Sequence, residues 1–400
     1  MIFKRKLYDK LLVWKQQTAG TKALLIEGAR RIGKSTLVEE FAKNEYRSYL
    51  MIDFNKVSDS VISAFNNYMN DLDTFFLILS SEYGVRLYPK ESIIIFDEIQ
   101  QFPKARQAIK YLVADGRFDY IETGSLISIK ENVNDITIPS EERTLLMYPM
   151  DFEEFAWAMN EEPLMAYIRQ CFDKKVPLEQ GIHAKAMLLF RQYMIVGGMP
   201  KSLSAYLENN RNFEMADMEK RDILTLYRND IKKIKSGYRS SVLSIFDQIP
   251  AFLSRSERRV VMNRIEKGAS FPKYHDTFFW LSDSMIANEC FNCSDPNVGL
   301  SLNEDRTYVK CYMGDTGLLI SHTFDENEIS DGELYREILL GKLSVNEGMF
   351  YENVIAQMLV AAGHKLYFYT RYNQEKHRND MEIDFILSNH SKLRYKIFPI

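Results

Sequence analysis

The sequence predicts an α/β fold built on a parallel sheet at its N-terminal end, followed by helical modules and a smaller α/β segment. Three observations carry this. Short apolar runs alternate with helical patterns over the first part of the chain, residues 1–150. The runs are rich in Ile and Leu, without polar alternation, as expected of strands covered on both faces. A glycine-bounded turn, Gly28–Ser35, joins the first run to a helical stretch.

The apolar runs are Ala23–Ile26, Tyr49–Ile52, Ile93–Phe96, Tyr120–Thr123 and Leu145–Tyr148. Between them lie helical patterns over Thr36–Lys43, Val57–Glu82 and Lys104–Asp115. In such a fold a ligand sits beyond the carboxyl ends of the strands. The pattern is helical over 151–238, broken at Gly197-Gly198-Met199-Pro200. Short helices are expected at Ser240–Leu253, Glu257–Lys267 (with Gly268 at its end) and Phe271–Ser282, then a strand at Tyr308–Met313, so 239–313 reads as winged-helix-like. Residues 314–400 hold a helix, Glu347–Ala362, and strands at Lys365–Thr370, Met381–Leu387 and Leu393–Ile400.

Composition narrows the function. The 400 residues are 46% apolar and 26% charged, which excludes a mostly disordered chain. At about 100–200 residues per domain the length suits several domains. The formal charge of −4 provides no global field for nucleic acid or membrane, so such a partner needs a local patch. Cys171, Cys290, Cys293 and Cys311 are too few for a disulfide framework and fit a reducing compartment. Only Leu11-Leu12-Val13-Trp14 follows the charged N-terminus, shorter than the about 7–15 apolar residues of a signal peptide. A soluble, cytoplasmic protein without a membrane partner is expected.

Gly28-Ala29-Arg30-Arg31-Ile32-Gly33-Lys34-Ser35 matches the P-loop pattern, with Thr36 next in the helix. Glycines let the backbone curl so that successive N–H groups face phosphate oxygens. Lys34 would reach the β and γ phosphates of ATP, and Ser35 would offer its hydroxyl to Mg²⁺. The helix start adds its positive end.

A second motif agrees. Ile93-Ile94-Ile95-Phe96 ends in Asp97-Glu98. In a P-loop ATPase Asp97 would hold the Mg²⁺ shell and Glu98 would act as general base on the attacking water. Another strand ends in Thr123-Gly124-Ser125, where either hydroxyl could sense the γ-phosphate.

These residues resemble a family of bacterial and archaeal AAA+-type ATPases that carry a C-terminal domain of uncharacterised function. Gly28–Ser35 is similar to its phosphate loop, Phe96-Asp97-Glu98-Ile99-Gln100 to its extended Walker B motif, and Thr123-Gly124-Ser125 to its sensor strand end. Pro149–Phe155, Gly197–Pro200, Arg221-Asp222-Ile223 and Gly314-Asp315-Thr316-Gly317-Leu318 resemble further signatures. The resemblance implies a five-strand AAA+ sheet with the sensor strand between the P-loop and Walker B strands. It implies an arginine finger at Arg143, although Glu142 stands where the family has glycine.

The resemblance supports the winged helix, a module that binds DNA in some proteins and other proteins elsewhere. Arg228, Lys232, Lys233, Lys235 and Arg239, then Arg255, Arg258, Arg259 and Arg264, could form a basic stripe for phosphates or merely a solvated face. Cys290-Phe291-Asn292-Cys293 lacks the second pair that zinc needs. Glu352 on its helix and Asp384 on its strand are similar to restriction-endonuclease-like folds. The strand that should carry a final lysine stops at Ile400, so the segment reads as truncated. Three functions stay open: an ATPase that moves its C-terminal modules, a slowly hydrolysing switch that binds a protein, and an incomplete DNA-associated nuclease. An oligomer is compatible with each.

Overall fold

A computed structural model describes residues 1–125, 139–234, 239–255, 258–260, 271–296, 299–325, 332–342, 347–373, 378–387 and 396–397. Most of the helix expected over Glu257–Lys267, with Gly268, Lys235, Arg264 and most of the last strand, lies outside these residues. The chain divides into two units, Met1–Tyr148 and Pro149–Ile400.

In the first unit, α1 (Leu7–Gln17) precedes β1 (Ala23–Glu27), α2 (Lys34–Glu45) and β2 (Ser48–Asp53). Then come α3 (Asp59–Asn67), α4 (Leu72–Tyr83), β3 (Ser92–Asp97), α5 (Pro103–Asp115), β4 (Asp119–Gly124) and β5 (Glu142–Leu146). The helical stretch expected over Val57–Glu82 is two helices. Asp71 starts the second, accepting from the Thr74 backbone N–H at 3.2 Å and its hydroxyl at 2.6 Å. That side chain satisfies helix-start donors and makes the break.

The sheet order is β2-β3-β4-β1-β5, with every pair parallel. The sensor strand β4 thus lies between β1 and β3, the arrangement expected of an AAA+-type P-loop fold. Every residue of β1 and β3 is buried, which explains their unbroken apolar runs. The edge strand β5 has no fully buried residue and starts three residues before the apolar run expected for it. An edge strand covered on one face needs no apolar run to announce it. Phe54, Phe65, Phe75 and Phe96 pack with Leu25, Ile94 and Tyr120 between the sheet and α3–α5. Each such buried side chain contributes about 1.5–3 kcal/mol, which fixes the frame that carries the strand ends.

In the second unit, α6–α10 are Phe152–Ala158, Glu162–Lys174, Gln180–Val196, Pro200–Glu208 and Phe213–Lys232. Next are α11 (Arg239–Leu253), α12 (Phe271–Asp283), β6 (Ala287–Cys293), β7 (Glu304–Met313) and α13 (Thr316–Thr323). The unit ends with α14 (Glu333–Leu340), α15 (Gly348–Ala361), β8 (Leu366–Asn373), β9 (Arg378–Leu387) and β10 (Lys396–Ile397). The sheet order is β10-β9-β8-β6-β7. Only β6–β8 is parallel; the β6–β7, β8–β9 and β9–β10 pairs are antiparallel. The segments read from sequence as 239–313 and 314–400 therefore share one sheet, because β6 pairs across that division with β8. Among the described residues no helix is long and apolar enough to cross a membrane.

Candidate functional site

The phosphate loop runs from the carboxyl end of β1 into α2. Gly28 passes so close to the backbone that an added Cβ would lie 2.4 Å from the Met147 carbonyl oxygen. Gly33, at φ 92°, takes the left-handed conformation immediately before the helix. Arg31 is also left-handed, at φ 67°. Ala29 and Ile32 are buried, Arg30 and Ser35 half-buried, and Arg31 and Thr36 exposed.

Lys34 is buried, and its ammonium donates to the loop carbonyls of Gly28 at 3.0 Å and Ala29 at 2.8 Å. Burial pushes it down to about 8, although the Glu98 and Asp97 carboxylates pull the other way. A buried cation held by neutral carbonyls gains from an arriving anion.

Asp97, at the end of β3, accepts from the Ser35 hydroxyl at 2.7 Å and also from the Thr123 hydroxyl. The backbone N–H of Glu98 donates to Thr123 Oγ1 at 3.4 Å. The structure thus brings Thr123, at the end of β4, onto Asp97. Ser125 is buried two residues further on. Glu98 is half-buried and adopts a left-handed backbone, φ 56°. Such a conformation costs a non-glycine residue about 1 kcal/mol or more, and it turns the chain at the motif's end. The Gln100 amide donates to the Glu98 carboxylate, a contact the sequence did not reveal.

Ser35 and Asp97 offer hard oxygen ligands, the donor type Mg²⁺ takes. Among the described residues no group of three or more His, Cys, Asp or Glu could hold a metal alone. A Mg²⁺ ion here would therefore share its shell with substrate phosphates, as it commonly does.

Arg143 is exposed on β5, opposite Leu24, three residues short of the strand end at Glu27. That is about 10 Å along the strand from where the loop begins. Its neighbour Glu142 is held by both prongs of Arg106, at 2.9 and 2.7 Å. The buried Glu122 carboxyl sits nearby, raised well above the usual range by burial and by Glu142.

Several of the other singled-out residues have partners within the chain. Arg228 pairs with Asp247 at 3.0 Å and Asp325 at 2.7 Å, and Lys233 with Asp230 at 3.0 Å. Arg239 donates to the Ile234 carbonyl at 2.9 Å, while Lys232 is exposed. Glu352 accepts from Tyr312 at 3.0 Å and pairs with Arg258. Asp384 pairs with the buried Lys310 at 2.8 Å. Cys171, Cys290, Cys293 and Cys311 are buried free thiols.

A match to a known family agrees with the fold of the first unit. The family described as "AAA domain" matches residues 20–156, and the one described as "Domain of unknown function (DUF8612)" matches residues 187–328. No curated protein matches the chain. Among solved structures, AMPPCP-bound DnaA from Aquifex aeolicus is 10% identical over 71% of this chain and 90% of that one, with TM-score 0.27. The Aeropyrum pernix ORC1 protein, solved in complex with DNA, is 9% identical over 82% and 93%, with TM-score 0.29. A Signal Transduction ATPase with Numerous Domains protein with a tetratricopeptide repeat sensor, from Pyrococcus horikoshii, is 12% identical over 89% and 48%, with TM-score 0.31. At these TM-scores the structural likenesses carry no weight. The family match, the strand order and the loop agree: residues 20–156 are similar to an AAA domain and fold as an AAA+-type P-loop sheet, and residues 187–328 are similar to a domain of unknown function.

Proposed function

We propose that the chain is a Mg²⁺-dependent ATPase whose nucleotide cycle changes the state of its second unit. The observation that carries this is the Asp97 carboxylate, joined to the Ser35 and Thr123 hydroxyls at the mouth of the phosphate loop. Lys34 and the loop N–H groups would hold the β and γ phosphates, with Gly28, Ala29, Arg30, Arg31, Ile32, Gly33 and Thr36 shaping the cradle. Mg²⁺, held by Ser35 and Asp97, would neutralise charge on the phosphates. Glu98 would take a proton from the attacking water. Thr123, already on Asp97, is favoured over Ser125 as the group that senses the γ-phosphate. Arg143 is a finger only toward a neighbouring copy, because its register places it short of its own loop.

A second reading is supported by Gln100. Its amide occupies the Glu98 carboxylate, which would slow water activation and suit a nucleotide-dependent switch that binds a protein partner. DNA remains a candidate partner through Lys232. The ion pairs at Arg228 and Lys233 lessen what the basic stripe can offer phosphates.

ATP turnover measured with and without double-stranded DNA, at several salt concentrations, tests both readings. Steady hydrolysis supports the ATPase. Tight binding with turnover below about one per minute, unchanged by DNA, supports the switch. No binding of ATP at all would sink the phosphate-loop assignment.

A further inference from the structure

Arg5, just ahead of α1, is buried, and its guanidinium spans two carbonyls far apart in sequence. Nη1 donates to Ile32 at 2.9 Å and Nη2 to Tyr148 at 2.5 Å. Ile32 lies inside the phosphate loop, one residue before Gly33. Tyr148 is the last residue of the first unit. A rigid planar fork suits two acceptors that must keep a set spacing.

The segment leaving the unit meets the same loop a second time. The Met147 N–H donates to the Glu27 carbonyl at 2.8 Å, and the Met147 carbonyl lies against Gly28. Within the second unit, the segment is again held by its backbone. The Met150 N–H donates to Gly198 at 2.8 Å, and the Met150 carbonyl accepts from the Tyr193 hydroxyl at 2.9 Å. A Cβ on Gly198 would lie 2.1 Å from that carbonyl, and Asp315 fixes the Gly198 N–H at 2.6 Å. Between the two gripped stretches stands only Pro149, whose φ is locked by its ring. Tyr148 and Met150 are thus two residues apart along the chain, each held within its own unit.

The loop has a reason to move. Lys34 donates to the Gly28 and Ala29 carbonyls, and a phosphate would compete for that ammonium. If those carbonyls lost their donor the loop would have to resettle, and the Ile32 carbonyl is part of the same turn.

We propose that Arg5 is a positioning residue that ties the phosphate loop to residues 147–150, so that nucleotide binding is felt at Met150 in the second unit. The proposal rests on the nucleotide-binding reading and specifies how that site is coupled to the rest of the chain.

Amide hydrogen exchange on the whole chain, with Mg²⁺ and a non-hydrolysable ATP analogue, tests it. In wild type the analogue should slow exchange at Met147 and Met150 by about tenfold, the worth of a hydrogen bond to a charged group. In Arg5→Met the loop amides should still slow, with affinity reduced by no more than about tenfold, while the response at Met150 is lost. Arg5→Lys keeps the charge without the two-pronged fork. It should fold, as its melting curve will show, and retain less than half of the Met150 response. A mere structural role would alter melting without separating the loop from Met150. If wild-type Met150 ignores bound analogue, or Arg5→Lys responds as fully as wild type, the coupling is wrong while nucleotide binding stands. If wild type binds no analogue, both readings fall. Should neither variant fold, the wild-type response decides.

Discussion

The phosphate loop of the first unit and the Gly197-Gly198 turn of the second are alike in composition. Each sets glycines beside a buried lysine and a buried aspartate: Lys34 with Asp97, and Lys220 with Asp315. They differ in what those groups meet. Lys220 donates to the Ile195 carbonyl at 2.6 Å and the Gly317 carbonyl at 3.3 Å, with Asp217 at 3.5 Å. Asp315 accepts from Gly198 N–H at 2.6 Å, Leu318 N–H at 3.0 Å and Gln357 at 3.3 Å. An ammonium has three donors, and here each has an acceptor within reach. Such a network locks helices together. Among the described residues Lys34 donates only to carbonyls of its own loop, with the Glu98 and Asp97 carboxylates near enough to act on its charge. Burial lowers both lysines; under the proposed reading only Lys34 would gain a better partner from an incoming phosphate. A signature motif marks a ligand site when its charges are left for the ligand to complete.

The sharpest test of that contrast acts on the first unit. Replacing Lys34 by Ala should weaken ATP binding by at least about 100-fold, because a buried charge-assisted contact is lost. Melting of the chain without nucleotide should hardly change, since Lys34 braces only its own loop. Glu98→Gln should leave ATP affinity within a few-fold and cut turnover by about 10²–10⁴-fold, as for loss of a general base. Titration of a fluorescent ATP analogue and steady-state hydrolysis separate the two variants. Turnover within a factor of two in Glu98→Gln would show that the water is activated by another group.

Lys220→Ala should do the reverse. Removing one partner of a buried ionic network costs about 3–5 kcal/mol, and Asp217 would lose a compensating cation. The second unit should melt well below its wild-type temperature or fail to fold, with ATP binding by the first unit retained. Calorimetry of the whole chain reads both effects. Normal melting in Lys220→Ala together with lost ATP binding would invert the comparison.

How much of this could be read beforehand follows the same division. The phosphate loop was legible because its chemistry demands particular residues at fixed local spacing. Asp97 and Glu98 were legible because an unbroken apolar strand delivers them. Thr123 and Ser125 could not be separated, since both end one strand, and only packing shows the Thr123 hydroxyl on Asp97. Arg5 left no signature, because its acceptors are backbone carbonyls that any residue supplies. The start of β5 was missed because an edge strand need not be apolar. In the second unit, β6 pairs with β8 across more than 70 residues, a long-range choice with no local mark. The partners of Glu352 and Asp384, Arg258 and Lys310, lie far from them in sequence and left no local mark.

The smallest expected effect probes a group of the second unit that is not fully closed. Glu289, on β6, is pushed up to about 7, first by burial, then by the nearby Glu304 and Asp283 carboxylates. Lys365 and Arg306 relieve it little, because both are engaged by Glu304, at 2.6 and 2.8 Å. Glu304 is thereby held below the usual range, so it stays charged beside Glu289. The folded state holds the Glu289 proton more tightly than the unfolded chain, whose ordinary value is 4.5. Stability from this group is therefore full below pH 4.5, falls as pH rises toward about 7, and levels off above it. Glu289→Gln keeps the shape and removes the charge. It should melt with wild type near pH 4.5 and a few degrees higher near pH 8, an advantage of roughly 1–2 kcal/mol after allowing for partial exposure. Thermal melts across that range check the sign as well as the size. A variant that gains at acidic pH, or one that tracks wild type throughout, would mean that water already reaches the Glu289 carboxylate. In that case this end of the sheet is better satisfied than its crowd of acids suggests, and the contrast with the phosphate loop becomes sharper still.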